Sequence, residues 1–219
     1  MLRRDVPRSA KRTAAPTPRD SARAARLDVY RRHVVDAAER VFAEHGFDAA
    51  RLQDISRLAG LSMGTIYAVF PGKAELLQAI LDDRGRELLT LVQDVVAAGR
   101  PPRETLQELS RAYIGYFVDH PAFLQLHLRE GRAWIQAPTG GGDRRAAIWQ
   151  AIHGLQESIF RQGIDQGLFV EEEPALLAKT FSALDQVVLA DWVAGGMRED
   201  RATLVGRLQG LVTRTFARS

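Results

Sequence analysis

After Leu27 apolar residues fall at three- and four-residue steps almost everywhere, the spacing of one α-helix face, and nowhere do they keep the two-residue alternation of a strand. Tyr30, Val34, Ala37, Ala38, Val41 and Phe42 form the first stripe, and Gly46 ends it. Leu52, Ile55, Leu58 and Ala59 fill two turns and stop at Gly60. Ser62 offers an N-cap oxygen to a third short helix with Ile66, Val69 and Phe70 inward, which Pro71-Gly72 closes. Leu76, Leu77, Ile80, Leu81, Leu88, Leu91, Val92 and Val95 predict a long fourth helix. Start signals then recur. Pro101-Pro102 precedes a helix through Phe117, and Pro121 opens a short one. Asp143, after three glycines, opens a helix to about Gly167, Pro174 one to about Ala194, and Asp200 a last one ending near Phe216. The expected fold is all-α, with about nine helices and no internal repeat.

Two short helices, 52–59 and 63–70, joined at Gly60-Leu61-Ser62 have the form of a helix-turn-helix. Gly60 suits a left-handed turn position, and Leu61 plugs the angle between the helices. In this motif the second helix enters the major groove of DNA with its N-terminal residues against the bases. The alternative, a plain bundle corner, is weighed by charge.

The 219 residues carry a net charge of +3, but unevenly. Residues 1–73 hold 14 Lys/Arg against 8 Asp/Glu, whereas residues 74–219 hold 16 against 19. A basic front on a mildly acidic body points to a polyanion bound by the front alone. Residues 1–25 are rich in Arg, Ala, Pro, Ser and Thr, too polar to offset their ordering entropy, and are expected to form a disordered basic arm. Arg19, Arg23 and Arg26 then sit where other helix-turn-helix proteins carry a minor-groove arm, with a solvated tail as the equal alternative. Cysteine is absent, which excludes disulfides and thiol chemistry. No apolar run spans a bilayer, and no secretory signal opens the chain, so no membrane partner and a cytoplasmic, nucleoid-associated location are expected. Nucleotide-binding, serine-hydrolase and zinc-protease motifs are missing, so an enzyme is not expected. No cofactor is expected, and no metal site: His127 and Glu130 lie one turn apart, but no third ligand is evident.

The stretch VDAAERVFAEHGFDAARLQDISRLAGLSMGTIYAVFPGKAELLQAIL, 35–81, resembles the DNA-binding domain of TetR-family bacterial transcriptional regulators. The resemblance rests on AA-x-x-x-F, Gly46, Asp-Ile before the turn, Ala59-Gly60-Leu61-Ser62, Gly64-Thr65-Ile66-Tyr67, Phe70 and Lys73-x-Glu75-Leu76. It implies a DNA-binding domain at 26–73 and, at 74–219, a divergent helical domain that dimerises and binds a small ligand. Two positions depart from the family. Arg51 replaces the usual Thr or Ser cap of the second helix, with Asp48 as a substitute cap, and Val69 replaces a His or Tyr. By chemistry and this alignment, Ser62, Thr65 and Tyr67 offer hydroxyls to phosphates, and Arg51 a charge. Lys73 with the amides beginning the fourth helix is expected to hold a phosphate. Gln53 and Thr65 are the expected base readers, Met63 and Ala68 face thymine methyls, and Gly64 permits close approach.

In the body, the last two helices are apolar on more than one face, which requires burial both inside and against a partner. A homodimer interface is therefore expected from Phe181, Leu184, Val188, Leu204, Leu208 and Leu211. Tyr113, Phe117, Trp134, Trp149 and Phe160 are expected to converge on a pocket for a mostly apolar or aromatic effector, cationic if charged. The expected function is a sequence-specific regulator, a repressor released from its double-stranded operator by that effector. The alternatives are a helical enzyme and a ligand-independent architectural DNA-binding protein.

Overall fold

The computed structural model describes residues 17–129 and 142–218. Nine helices, and no strand beyond an isolated bridge, make up these described residues: α1 (Pro18–His45), α2 (Leu52–Ala59), α3 (Met63–Val69), α4 (Lys73–Ala97), α5 (Pro102–Asp119), α6 (Pro121–Arg129), α7 (Gly142–Asp165), α8 (Pro174–Ala194) and α9 (Arg201–Phe216). None is long and apolar enough to cross a membrane.

The starts follow the expected signals. Pro102 and Pro174 occupy first-turn positions, where a missing N–H costs nothing. The Asp200 carboxylate accepts the Thr203 amide at 2.8 Å as a true N-cap. The main departure is α1. It begins at Pro18, so residues 18–25 continue a helix instead of forming a disordered arm. Pro18 is pre-set for a helix start, and the Ala and Arg that follow are strong helix formers. Arg19, Arg23 and Arg26 are therefore exposed on a helix. Residues 1–16 lie outside the described residues.

α1, α2 and α3 pack around Val34, Ala38, Phe42, Ile55 and Ile66. α4 leaves this small domain and runs into the body, where it packs on α7 and α5. α8 lies between α7 and α9, and α5 crosses against α9, so that Phe160, Phe181 and Phe216 meet at the centre. The end of the chain is fastened to the α7–α8 connection: Val170 donates to the Phe216 carbonyl at 3.0 Å and Arg218 to that of Leu168 at 3.1 Å.

Candidate functional site

The corner between α2 and α3 is built by local chemistry. Gly60 has φ +66°, the left-handed conformation that ends α2, and its amide reaches back to the carbonyls of Arg57 and Ser56. The Ser56 hydroxyl donates to the Leu61 carbonyl at 2.5 Å and fixes the outgoing strand of the turn. Leu61 is half-buried against the core, as a plug should be. Ser62 caps α3 by accepting the Thr65 amide at 3.2 Å, and the two hydroxyls also bond each other at 3.0 Å.

This corner presents a continuous outer face. Arg51 and Gln53 are exposed at the start of α2. Gly64, Tyr67 and Ala68, spaced three and four apart, share the exposed side of α3, with Tyr67 55% exposed. Ser62 is exposed beside them, and Met63 and Thr65 are half-buried. Leu58, 51% exposed on α2, belongs to the same module and was not singled out by the sequence pattern, which turns it inward. Arg51 has the extended φ and ψ of an N-cap but makes no side-chain cap. Asp48 does not replace it, because residues 47–49 form a turn and not an earlier start of α2.

Lys73 does not do what the sequence suggests. Its ammonium donates to the carbonyls of Phe47 at 2.8 Å, Ala50 at 2.9 Å and Asp48 at 3.0 Å, and lies 4.9 Å from the centre of the Phe47 ring. All three ammonium donors are occupied, leaving none for a phosphate. Lys73 is a clasp that ties the α1–α2 connection to the start of α4. On the other side, the Arg31 guanidinium lies 4.9 Å over the Phe70 ring and ties α1 to the end of α3.

A second link joins this module to the body. Arg84 of α4 makes a two-pronged ion pair with Glu39 of α1, at 2.8 and 3.1 Å, and bonds Glu87 at 2.9 Å. Glu87 accepts in turn from the Tyr116 hydroxyl of α5 at 2.7 Å, and the Tyr116 ring packs, tilted, against His120. Burial opposes the Arg84 charge, but the bonds and field of Glu39 more than offset it and raise its pKa. Burial likewise works against ionisation of Glu87, and is outweighed by the Tyr116 hydrogen bond and by Arg84, so its pKa falls below the usual value. Beside this chain lies an open groove of about 980 Å³ between α1, α4 and α5.

Among the described residues the ring contacts of the body fall into separate groups. Tyr113 reaches Phe160 through Phe181, at centroid distances of 6.3 and 6.4 Å. Phe117 stacks instead on Phe123 at 5.9 Å and edges Tyr116, in a separate group. Trp149 packs on His153. Trp134 lies outside the described residues. Tyr113, Phe117 and Phe160 are buried against neighbouring rings as core, because a helical spacing that turns a ring inward does not decide between a cavity and a packed neighbour.

The expected dimer residues also divide. Phe181, Val188, Leu204 and Leu208 are buried within the single chain and have no surface to give a partner. Leu184 and Leu211 remain half-exposed. The outer face of α8 instead carries Leu176, 48% exposed, and Val187, 63% exposed. On α9, Gly206 is exposed, and Gly210 follows one turn later.

Residues 34–80 match the family model of bacterial regulatory proteins of the tetR family. An uncharacterised helix-turn-helix transcriptional regulator of Bacillus subtilis, YuxN, is 24% identical over 98 residues, covering 45% of this chain and only 34% of that protein. The fatty acid metabolism regulator protein of the same bacterium is 23% identical over 176 residues, covering 78% of this chain and 87% of that one. Among solved structures, the regulator FadR of Bacillus subtilis in complex with stearoyl-CoA superposes with a TM-score of 0.70 at 18% identity, covering 82% of this chain and 96% of that one. A regulatory protein of the tetR family from Rhodococcus RHA1 does so with a TM-score of 0.73 at 19% identity, covering 87% and 98%.

Proposed function

We propose, from the membership of this chain in the tetR family of bacterial transcriptional regulators, that it is a dimeric repressor whose grip on a pseudo-palindromic operator is loosened by a small molecule bound in the body. The observation that carries the reading is the exposed face of α2 and α3, with Gln53, Ser62, Gly64, Tyr67 and Ala68 outward on the basic third of the chain. Arg51 supplies charge at the edge of this face. Gln53 has the amide that pairs with adenine, and Tyr67 and Ser62 have hydroxyls for phosphate. Thr65 sits behind Ser62 and holds it in place, so its part in base reading is secondary. Met63 and Ala68 supply apolar contact. Lys73 supports this face from behind.

The dimer forms across the outer sides of α8 and α9. Leu176, Val187, Leu184 and Leu211 give it apolar area, and Gly206 and Gly210 let the partner's helices approach closely. A two-fold dimer then sets its two α3 helices about 34–36 Å apart, the spacing of successive major grooves on one side of the duplex. The effector changes that spacing through α4, which Lys73 fastens to the reading module and Arg84 to α1. The stearoyl-CoA complex of a structural neighbour supports a ligand-binding body in this fold, without identifying the ligand of this chain. No catalytic constellation is needed for any step.

Selection of a binding site from random duplexes tests the reading. A two-fold symmetric site should emerge, and its affinity should fall steeply with salt as counterions are released. Gln53→Ala should relax preference at one position in each half-site, at a cost of about 1–3 kcal/mol. Affinity indifferent to salt and to sequence would refute it.

A further inference from the structure

Where α5, α7 and α8 meet inside the body, four polar side chains interrupt the apolar core. Asp185 and Ser182 of α8 are 5% exposed, Tyr113 of α5 is 3% exposed and Gln156 of α7 is fully buried. The Gln156 amide nitrogen donates to the Tyr113 oxygen at 3.3 Å, and its carbonyl accepts from the Ser182 hydroxyl at 3.3 Å. Both bonds are long for their type, and they use both ends of the amide. The Asp185 carboxyl is left without help from it: its Oδ1 is buried with no hydrogen-bond partner. No Arg or Lys among the described residues forms an ion pair with it. Burial pushes its pKa well above the ordinary carboxylate range. Tyr113, whose own pKa is raised first by burial and then by the field of Asp185, gives it no positive charge.

A carboxylate buried without a cation is among the most costly groups a core can hold. Apolar residues of the same size would pack this position at lower cost. The Tyr113 ring, 6.3 Å from that of Phe181, belongs to the same group, and the field of Asp185 reaches its hydroxyl. An acid beside aromatic rings is the chemistry that receives an organic cation.

We propose that Asp185, with Tyr113, Gln156 and Ser182, is the anchor for the ammonium group of an organic cation, which is the class of effector the body takes. The inference rests on the reading of the body as an effector domain, and assigns it both a point of contact and a charge. The cation supplies the partner that the chain withholds from Asp185, so the acid ionises only when the site is filled. Ser182 and Tyr113 lend oxygen lone pairs, and the apolar remainder of the ligand displaces side chains of the surrounding core.

The test uses the full chain with tetramethylammonium, benzyltrimethylammonium and dodecyltrimethylammonium, and with neopentylbenzene as the neutral shape-match of the second. Calorimetric titration should show binding of at least one cation and at least tenfold weaker binding of the neutral match. Asp185→Asn should fold with at least the stability of the parent at pH 7, because the amide carries no charge to desolvate, and should lose tenfold or more in cation affinity. Equal binding of benzyltrimethylammonium and neopentylbenzene overturns the proposal. So does unchanged cation affinity in Asp185→Asn, or failure of all three cations to bind at millimolar concentration. Operator release is measured in parallel. Cation binding that depends on Asp185 but leaves DNA occupancy untouched keeps the site and overturns its role in regulation. Release by a neutral or anionic compound, unaffected by Asp185→Asn, keeps the effector domain and overturns the anchor.

Discussion

Replacing Lys73 by methionine keeps the stem and removes three charged hydrogen bonds, to the carbonyls of Phe47, Asp48 and Ala50. A hydrogen bond from a charged donor contributes about 1.5–3 kcal/mol when buried. Here the Asp48 carbonyl is exposed and contributes little, and the other two are part-buried, so the sum comes to about 2–3 kcal/mol once water is allowed to replace the lost donor. The stacking on Phe47 adds about 0.5–1 kcal/mol. For a chain of this size 1 kcal/mol shifts the midpoint by about 2–4 °C, so Lys73→Met should unfold about 5–16 °C lower. DNA affinity should fall with the loosened corner, but the slope of log affinity against log salt should not change. A phosphate contact behaves in the opposite way, leaving stability intact and reducing the slope by about 0.9. Thermal unfolding and binding isotherms at four salt concentrations separate the two. An unshifted midpoint with a slope reduced by one contact would refute the clasp.

Arg84→Ala leaves Glu39 buried without its cation and should cost about 3–5 kcal/mol in denaturant unfolding, while Arg84→Lys, which keeps charge but not the two-pronged geometry, should cost less. Glu87 has a depressed folded pKa, so its contribution is present above the ordinary glutamate value of 4.5 and is lost as pH falls through the folded value. The stability gap between wild type and Glu87→Gln, with Arg84, Tyr116 and His120 facing the group, should therefore be open at about pH 6–7 and close as acid titrates the group below the ordinary glutamate value. A gap that widens in acid would contradict the assignment. In Gly163→Ala the new Cβ would meet the Phe169 ring at 2.0 Å, and Phe169 is held by Phe160 and by its bridge to Ala217, so unfolding experiments should show a net loss of about 1–3 kcal/mol despite the better helix propensity of alanine. Val187→Glu should yield folded monomers by light scattering, whereas Leu208→Glu should lose the fold itself; a dimeric Val187→Glu protein would move the interface elsewhere.

The helix-turn-helix and most helix starts were legible because each depends on residues next to one another. Gly60 at φ +66°, Ser62 on the Thr65 amide and Asp200 on Thr203 are local chemistry that any neighbourhood would allow. What the pattern concealed depends on partners far along the chain. Lys73 reads as a free cation until the fold brings carbonyls from 23 to 26 residues earlier around it. On α8 and α9 the apolar positions cover so much of each helix that periodicity cannot tell the side meeting α5 and α7 from the side left open, and Phe181 and Leu208 lie on the buried side. Tyr113 and Phe117 share a face of α5 at one-turn spacing, yet the neighbours they meet, Phe181 and Phe123, come from different helices and draw them into different groups. Asp185 carried no sequence signal at all, being one carboxylate among many until its burial is known.

In the proposed function, the unbroken length of α4 sets how little motion is needed to let go of DNA. Its 25 residues make a rod of about 37 Å at 1.5 Å per residue, clasped by Lys73 at one end and packed against α7 in the body. A tilt of about 5° pivoting at the far end sweeps the near end through ~3 Å, close to the ~3.4 Å step between successive base pairs. The displacement within the body, a few residues from such a pivot, is under ~1 Å, less than the movement of one side chain between rotamers. In the proposed dimer, the same tilt repeated by the two-fold axis puts the two reading heads out of step with the operator by nearly two base pairs. On that reading a ligand need only repack a handful of side chains to achieve this.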